Sequence, residues 1–303
     1  MLNQIKVKGV KWIDGVSLSN SEIEKELKKY DFHELDIEAC MEQNQRARID
    51  GYDDYIFMVL HFPKYNQKTK VYSLNEFNIF LGKDFLITFR EFEGKNIDKI
   101  FDDYKDLKIQ DNSEFKITSG YILYEIIQSM LEKMFKFIDN IKKDLKEVEG
   151  LVFETANASL VKEIMIKKRN IVIMKHMLLP QVSVMKLIEA KMNEMFKGEM
   201  EEYFEDLEDK ISKVVNDVRI LEEYLDSIED AFKTIIDIRT NNVMTFLAIF
   251  SAFFLPLTLI TSFYGMNIKL PLDKNENIIY LFLLFITIIM IFSYLFMKKK
   301  GKF

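Results

Sequence analysis

Residues 243–263 read VMTFLAIFSAFFLPLTLITSF, and residues 278–297 read IIYLFLLFITIIMIFSYLFM. Neither stretch contains a charged residue, and together they decide the fold of the chain. Each matches the ~20 residues that a helix needs to cross the ~30 Å hydrocarbon core of a membrane. A soluble core helix of the same length would carry a polar face. The sequence therefore predicts two transmembrane helices separated by a short loop.

The distribution of positive charge around the two spans predicts their orientation. Lys298, Lys299, Lys300 and Lys302 follow the second span, and Arg239 precedes the first. Because Lys and Arg are enriched next to membrane helices on the cytoplasmic side, both termini are expected in the cytoplasm of a multi-pass protein of the cytoplasmic (inner) membrane. The N-terminal residues MLNQIKVKGVKWIDG have no apolar signal-peptide core, so export of the part before the first span is not expected.

Composition and motifs exclude several classes of function. The 303 residues carry 42 Lys plus Arg against 48 Asp plus Glu, a formal charge of −6, which is the wrong sign for a nucleic-acid-binding protein. The three histidines lack zinc-enzyme spacing, and no G-x-G-x-x-G or Walker A motif occurs. Cys40, the single cysteine, is interpreted as a core residue instead of a nucleophile. An enzyme is not expected.

The rest of the chain divides by its periodicity into two cytosolic parts. Residues 1–117 are predicted to form an α/β domain, with β-rich runs at 5–13, 55–62, 71–81 and 85–89 and helical patterns at 21–29 and 34–41. Residues 118–240 are predicted to form a helical stalk, as part of helices over 118–150, 157–197 and 200–262. After residue 240 the sequence predicts transmembrane helix 1 at 241–263, an external loop at 264–277, transmembrane helix 2 at 278–297 and a basic tail at 298–303.

One apolar seam marks the third of these helices. Its members alternate spacings of four and three residues: Leu207, Ile211, Val214, Val218, Leu221, Leu225, Ile228, Phe232 and Ile235. No Gly or Pro lies between Gly198 and Pro256, so the helix is expected to continue from the cytosol into the first span. The seam is either buried against the helices of residues 118–197 or shared between subunits, and the sequence leaves both interpretations open.

A short motif stands at the external end of the first span, Tyr264-Gly265-Met266-Asn267. Taken alone, it fits a helix C-cap with Gly265 in the left-handed conformation. Together with the residues before it, NNVMTFLAIFSAFFLPLTLITSFYGMN closely resembles the signature of CorA-type magnesium and cobalt transporters. The resemblance spans nearly the whole chain, and in the cytosolic part it is carried by Gln45–Arg48, Tyr52–Phe57 and Phe80–Lys83.

The resemblance implies a funnel-like homopentamer that transports Mg²⁺ passively, with Co²⁺ and Ni²⁺ as related cargoes, under control of cytosolic Mg²⁺. Tyr264, Gly265, Met266 and Asn267 would form the selectivity filter. Mg²⁺ dehydrates reluctantly, so a filter that binds its water through a neutral carboxamide such as that of Asn267 suits it. The pore-lining face of the first span would comprise Asn241, Met244, Leu247, Ala248, Ser251, Leu255 and Thr258.

A dense acidic run follows Gly198, and within it the resemblance implies that Asp206 binds regulatory Mg²⁺ between subunits. Asp209, Asp230 and Glu38 are the other candidate ligands. The chain departs from the family in two places: Ala39 follows Glu38 where an acid is common, and Ile268–Leu272 replaces Met-Pro-Glu-Leu. Asp273 and Glu276 are the acids available to the loop, and Ala39 predicts weaker regulatory binding that Ala39→Asp would restore.

Two alternative functions stay open from the sequence. A ZntB-type zinc transporter would use the same architecture with a different cargo. A membrane-anchored sensor or scaffold would use the hairpin only as an anchor and would conduct nothing. The expected partners are further copies of the chain, membrane lipid and divalent cations, and nucleic acid is not among them.

Overall fold

The computed structural model describes residues 1–42, 45–91, 94–107, 117–154, 157–267 and 276–299. Two compact units make up the chain, Met1–Glu229 and Asp230–Phe303. The first contains a six-stranded sheet and the helices that cover it, and the second contains the apolar helices. The predicted fold class, an α/β part followed by long helices and two apolar helices, is confirmed.

The sheet has the spatial order β1-β2-β6-β5-β4-β3. Its strands are β1 (Leu2–Val7), β2 (Val10–Val16), β3 (Arg48–Gly51), β4 (Tyr55–Asn66), β5 (Val71–Gly82) and β6 (Phe85–Arg90). All neighbours are antiparallel except β2 and β6, which are parallel. The run at residues 5–13, predicted as one β-rich segment, is a hairpin, because Lys8 and Gly9 turn the chain with φ angles of 47° and 97°.

Helices cover both faces of the sheet. Helices α1 (Asn20–Leu27) and α2 (Glu34–Met41) pack on one face, where Phe57, Phe80 and Ile87 contribute to the core. Helix α3 (Lys95–Leu107) lies on the other face, where Trp12 contacts Phe101 with ring centroids 4.9 Å apart. Coverage of both faces explains why β4 is an almost continuous hydrophobic run instead of an alternating one. Trp12 is completely buried between the sheet and α3.

The long helices are α4 (Ser119–Glu154), α5 (Ala158–Phe196), α6 (Glu201–Tyr264) and α7 (Glu276–Lys299). The three predicted from periodicity are confirmed, with ends that differ by no more than a few residues. In α6 the apolar seam from Leu207 to Ile228 is buried within the first unit. The first interpretation of the seam, a face buried inside the chain, therefore holds for this stretch.

Two carboxamides on α5 attach it to the long β4–β5 hairpin. The Gln181 Oε1 accepts from the His61 N–H at 2.9 Å, and its Nε2 donates to the His61 carbonyl at 2.8 Å. Asn170 accepts from the Tyr72 N–H at 3.0 Å and donates to the Lys70 carbonyl at 2.8 Å. Each amide thus binds the backbone in the way that a peptide group of a neighbouring strand would.

Two described helices, α5 and α6, are long and apolar enough to cross a membrane, and α7 contains a shorter apolar stretch, Leu283–Phe296. The apolar window of α5 is 44% buried inside the chain. Since α5 also carries the amides that bind the sheet, it is a core helix. The apolar window of α6 is 0% buried, so the described chain leaves most of its surface exposed.

Candidate ion pathway and regulatory residues

The seven side chains predicted to line a pore all lie exposed on α6: Asn241, Met244, Leu247, Ala248, Ser251, Leu255 and Thr258. The half-buried side chains of this part of α6 are different ones, among them Thr245, Ile249, Phe253 and Ile260. Phe253 contacts Tyr294 of α7, with ring centroids 6.3 Å apart. At ~100° per residue, the predicted pore face lies roughly 160° around the helix from the half-buried side.

Hydroxyl groups on α6 donate to the helix backbone near Pro256. The Thr258 hydroxyl donates to the Phe254 carbonyl at 2.8 Å, and the Thr261 hydroxyl donates to the Leu257 carbonyl at 3.0 Å. Pro256 has no N–H to donate to the Ala252 carbonyl, yet α6 continues through it to Tyr264. The Thr258 hydroxyl hydrogen is thus already donated, while its oxygen keeps lone pairs that can accept hydrogen bonds from water. Thr258 can therefore face water without leaving a donor unsatisfied.

Helix α6 ends inside the Tyr264–Asn267 motif. The Gly265 N–H donates to the Thr261 carbonyl at 2.9 Å, and the Met266 N–H donates to the Phe263 carbonyl at 3.4 Å. Among the described glycines only Gly9 and Gly198 have positive φ, so the interpretation of Gly265 as a left-handed cap is wrong. The helical hydrogen bonding continues to residue 265. A Cβ there would lie 3.0 Å from the Thr261 oxygen, which favours glycine.

Met266 and Asn267 are exposed at the end of this described segment. Residues 268–275 lie outside the described residues, and with them the Ile268–Leu272 departure and Asp273 of the predicted external loop. Helix α7 begins at Glu276. The tail residues 300–303, including Lys300 and Lys302, also lie outside.

Asp206 lies half-buried on α6 and already has partners within the chain. Its Oδ2 accepts from the Lys210 ammonium at 2.5 Å and from the Tyr124 hydroxyl at 3.4 Å. Burial and the nearby Asp206 carboxylate raise the pKa of Tyr124 to about 12, so this hydroxyl remains a donor at neutral pH. The Lys210 pair is partly solvated and of the kind that contributes little to stability, so a divalent cation can compete for the carboxylate.

The other three candidate regulatory acids are exposed. Asp209 lies on α6, and Glu38 lies on α2. Asp230 forms an exposed ion pair with Lys233 at 3.1 Å. Across the described residues, no group of three or more His, Cys, Asp or Glu side chains is placed to hold a metal ion. One chain therefore does not assemble these acids into a metal site.

The structure corrects the prediction that was based on Ala39. This residue is 5% exposed and packs in the core between α2 and the sheet, next to Cys40 and Phe57. A carboxylate at position 39 would enter the core of its own subunit instead of facing a neighbouring one. Glu38 is the exposed member of the pair. The same core encloses Cys40, and burial raises the pKa of its thiol well above the ordinary value, which supports a packing role.

Acid–acid pairing between α5 and α6 was not predicted. Glu189 of α5 lies beside Glu208 of α6, and burial together with this neighbouring carboxyl raises the pKa of Glu189. Lysines cross the same helix pair elsewhere, with Lys175 2.5 Å from Glu222 and Lys168 2.7 Å from Glu229. All three pairs lie equally far along the chain from the turn at residues 198–199. Residues at equal distances on either side of a turn lie side by side in two antiparallel helices. The positions of these residues in the sequence could therefore have predicted the pairing.

Comparison with known proteins gives a family and a fold. The family of CorA-like Mg²⁺ transporter proteins matches residues 7–299. The cobalt/magnesium transport protein CorA of Methanocaldococcus jannaschii is 24% identical over 290 residues, which cover 95% of this chain and 90% of that protein.

Solved structures share the fold. The complete CorA magnesium transporter from Methanocaldococcus jannaschii aligns with a TM-score of 0.81 at 21% identity, over 96% of this chain and 92% of that one. The cytoplasmic domain of ZntB from Vibrio parahaemolyticus aligns with a TM-score of 0.62 at 13% identity, over 77% of this chain and 90% of that one.

An α/β unit followed by long helices, with an apolar α6 that the chain leaves largely exposed and a second apolar helix, is the architecture of a membrane protein of the two-helix class. The chain belongs to the CorA family of metal ion transporters. The family is one of transporters and not a class of enzymes.

Proposed function

We propose that this protein is a passive Mg²⁺ channel of the cytoplasmic membrane, in which five copies surround a pore lined by α6. The observation that carries the proposal is the exposed face of α6 from Asn241 to Thr258, which lies opposite the half-buried side and leads to Asn267. Two membrane helices cannot enclose a lumen, so a conducting form requires several copies. Membrane lipid and neighbouring copies would cover the apolar surface that one chain leaves exposed.

In the proposed pore, apolar and polar rings alternate along the axis. Met244, Leu247 and Leu255 would form constrictions that close by excluding water. Asn241, Thr258 and Asn267 would form polar rings, with Ala248 and Ser251 as small residues between them. Residues 1–240 and 298–303 would lie in the cytoplasm, which places residues 264–277 outside the cell.

Selection in this proposal occurs at Tyr264–Asn267. A ring of Asn267 carboxamide oxygens would accept hydrogen bonds from water on a hydrated divalent cation, without the strong attraction that a ring of carboxylates would add. The membrane potential contributes about 4.6 kcal/mol per divalent ion at 100 mV, so no ATP site is needed for uptake. Co²⁺ and Ni²⁺ are the related cargoes.

Cytosolic Mg²⁺ would regulate the channel through the acidic residues. Mg²⁺ at Asp206, with Asp209, Asp230 and Glu38 as further candidates, would replace the Lys210 ammonium and link adjacent subunits in the closed state. Loss of the ion would leave carboxylates that repel one another and would loosen the closed assembly. The ion would then act both as cargo and as regulator.

Two other functions remain outcomes of the test. Zinc transport is favoured as an alternative by the likeness of the fold to the ZntB cytoplasmic domain. A non-conducting sensor or scaffold would have the same cytosolic unit and hairpin but no flux.

The test measures Mg²⁺ entry into proteoliposomes that contain the purified full-length protein, with the oligomeric mass determined in detergent. Asn267→Ala should reduce entry to the level of empty vesicles while leaving the oligomer intact, because only the filter amide is removed. Asn242→Ala is the matched control, since this exposed asparagine lies on α6 away from the predicted pore face. Unchanged entry in assembled Asn267→Ala would refute the filter assignment. Preferred entry of Zn²⁺ would favour the zinc alternative, and absence of any flux would favour the sensor.

Regulation has a separate test. Mg²⁺ should protect the cytosolic part of the wild-type protein from a protease, and Asp206→Ala should raise the Mg²⁺ concentration required or abolish the protection. Glu223→Ala, an exposed acid on the same helix, should leave the concentration unchanged. Protection that does not depend on Mg²⁺ in any of the three proteins would make the Asp206 region an ordinary solvated acidic face.

A further inference from the structure

A cavity of about 320 Å³ lies in the first unit between helices α1 and α2 and strands β5 and β6. It is distinct from the predicted ion pathway and from the candidate regulatory acids. Glu76 and Asn78 of β5 line it, together with Cys40 of α2 and Arg90 of β6. Side chains two residues apart on a strand point to the same face, so Glu76 and Asn78 project together toward α2.

Glu76 is a half-buried carboxylate with no Lys or Arg ion-pair partner among the described residues. Its side chain is 12% exposed, and its oxygens accept from the Gln45 N–H at 3.0 Å and from the Asn78 amide at 3.2 Å. The His61 Nε2 lies 3.9 Å from the carboxylate. At that distance the imidazole is outside hydrogen-bond range of the carboxylate oxygen. Two neutral donors are thus the contacts that hold a largely desolvated anion.

Asn78 contributes an acceptor that the chain does not use. The residue is 7% exposed, and its Oδ1 has no hydrogen-bond partner within the described part of the chain. Its Nδ2 donates to Glu76, which fixes the orientation of the amide and leaves the oxygen as the free atom. A buried carbonyl oxygen without a donor costs free energy, and a ligand that binds it removes the cost.

The other polar groups of the cavity do not offer a competing positive charge. The Arg90 guanidinium binds Asp14 at 2.7 Å and Asp98 at 2.5 Å, so two carboxylates surround one cation. The thiol of Cys40 is neutral because burial raises its pKa. Glu42 and Glu91 stand at the edge of the cavity. The lining is therefore rich in acceptor oxygens and net negative.

We infer that this cavity binds a hydrated divalent cation of the Mg²⁺ type through the Glu76 carboxylate and the Asn78 carboxamide oxygen. Both are hard oxygen ligands, and Mg²⁺ is usually held by one or two carboxylates while it keeps several of its waters. At ~30 Å³ per water, the cavity has room for the ion and on the order of ten waters. The site lies within a single subunit, so it does not rest on the proposed channel or on its assembly.

Cys40 makes the site directly testable, because it is the only cysteine of the chain and it lines the cavity. The experiment follows the rate at which methyl methanethiosulfonate modifies Cys40 in the full-length protein, with and without Mg²⁺. A bound ion blocks access, so mass action predicts modification about tenfold slower when Mg²⁺ is at ten times its dissociation constant. Glu76→Gln should abolish the effect of Mg²⁺, and Asn78→Ala should shift it to higher concentration.

Asp206→Asn is the matched control, and it should retain the protection because its carboxylate belongs to the other proposed site. Three results would overturn the inference: a reactive Cys40 whose rate ignores Mg²⁺, protection that persists in Glu76→Gln, or protection that disappears in Asp206→Asn. Equal protection by spermidine at the same concentration would assign the cavity to organic cations and would also overturn it.

A second measurement does not depend on the reactivity of Cys40. The number of Mn²⁺ ions bound per chain, counted by electron paramagnetic resonance, should be one lower in Glu76→Gln than in the wild type. Equal numbers would refute the site. In the absence of metal, Glu76→Gln should melt at the same temperature as the wild type or higher, because the substitution removes a buried charge.

Discussion

The two units of this chain differ in what covers their apolar side chains. In Met1–Glu229, Trp12, Phe57 and Leu207 are 0% exposed, so the chain covers its own core. In Asp230–Phe303, Leu255 is 69% and Phe292 72% exposed. Side chains of the same chemical type thus have opposite surroundings in the two units. The first unit has the burial of a soluble protein, whereas the second requires lipid or further copies of the chain.

Helix α6 belongs to both units, so buried and exposed apolar side chains can be compared within one helix. Apolar residues at helical spacing occur along its whole length, yet the seam residues before residue 229 are buried and those after residue 240 are exposed or half-buried. Periodicity alone therefore does not decide what a helix face contacts. The polar residues between the apolar ones decide it, because charges are frequent in the first part and absent from residues 243–263.

The largest effect on conductance is expected from a charge on the exposed face of α6. Met244→Asp should hydrate the proposed constriction and raise the leak at high cytosolic Mg²⁺ at least about tenfold, which corresponds to ~1.4 kcal/mol in the closing equilibrium. Phe246→Asp is the matched control, since Phe246 is 65% exposed against 60% for Met244 but points to a different side of the helix. Planar-bilayer conductance measures both. Equal conductance in the two variants would remove this face from the pore.

The next effect tests the core position of Ala39. Ala39→Asp should lower the free energy of unfolding by about 3–5 kcal/mol, since it places an uncompensated carboxylate among apolar side chains. Glu38→Ala, one residue away and exposed, should change it by less than about 0.5 kcal/mol. Chemical denaturation in detergent measures both. A stable Ala39→Asp protein with tighter Mg²⁺ protection would mean that position 39 faces a neighbouring subunit after all.

A leucine pair on α6 compares the two units directly. Leu207→Ala should lower the free energy of unfolding of the cytosolic part by about 2–5 kcal/mol, because the side chain is completely buried there. Leu255→Ala should leave that quantity within about 0.5 kcal/mol of the wild type. Thermal and denaturant unfolding give the values. A similar loss in both variants would show that Leu255 is as well packed in the assembled protein as Leu207.

The smallest effect concerns a buried acid of the first unit. Burial raises the pKa of Glu125 above its ordinary value of 4.5, while the Tyr104 hydroxyl donates to it. An acid with a raised folded pKa binds its proton more tightly in the folded state, so its contribution to stability falls as pH rises through that pKa.

Glu125→Gln keeps an oxygen that accepts from the Tyr104 hydroxyl, and it removes the loss of stability that ionisation of Glu125 causes at higher pH. The variant should resemble the wild type near pH 4 and be more stable at pH 7, by less than about 1 kcal/mol because the site is partly solvated. Glu132→Gln, an exposed acid on the same helix, should show no such difference. Unfolding at the two pH values measures it, and a Glu125→Gln protein that is less stable at pH 7 would reverse the assigned sign.

Much of the fold was readable from the sequence because strong periodicities extend over long segments. The bounds of α4, α5 and α6 followed from helix formers and from Gly198. Helix α3 was missed although Ile97, Phe101 and Tyr104 form its buried stripe, since acids and lysines dominate the segment. Strand β3 was missed because it has only four residues.

The environment of individual residues was less readable. Helix α2 buries Asp36 together with Ala39 and Cys40, and Asp36 is held by the Tyr55 hydroxyl at 2.9 Å. A buried acid obscures the amphipathic pattern, so the inward direction of Ala39 could not be inferred from spacing. The free oxygen of Asn78 depends on which atoms its neighbours donate, and no sequence pattern encodes that.

The amides of α5 have a consequence for the outer edges of the sheet. Strand β3 pairs with β4 only as far as Val59, so the rest of β4 and its turn to β5 present backbone groups to which another strand could add. Gln181 occupies the N–H and carbonyl of His61, and Asn170 occupies the N–H of Tyr72. Helix α5 therefore prevents another strand from pairing with these edges of the β4–β5 hairpin. This protection keeps the sheets of two separate molecules from joining edge to edge.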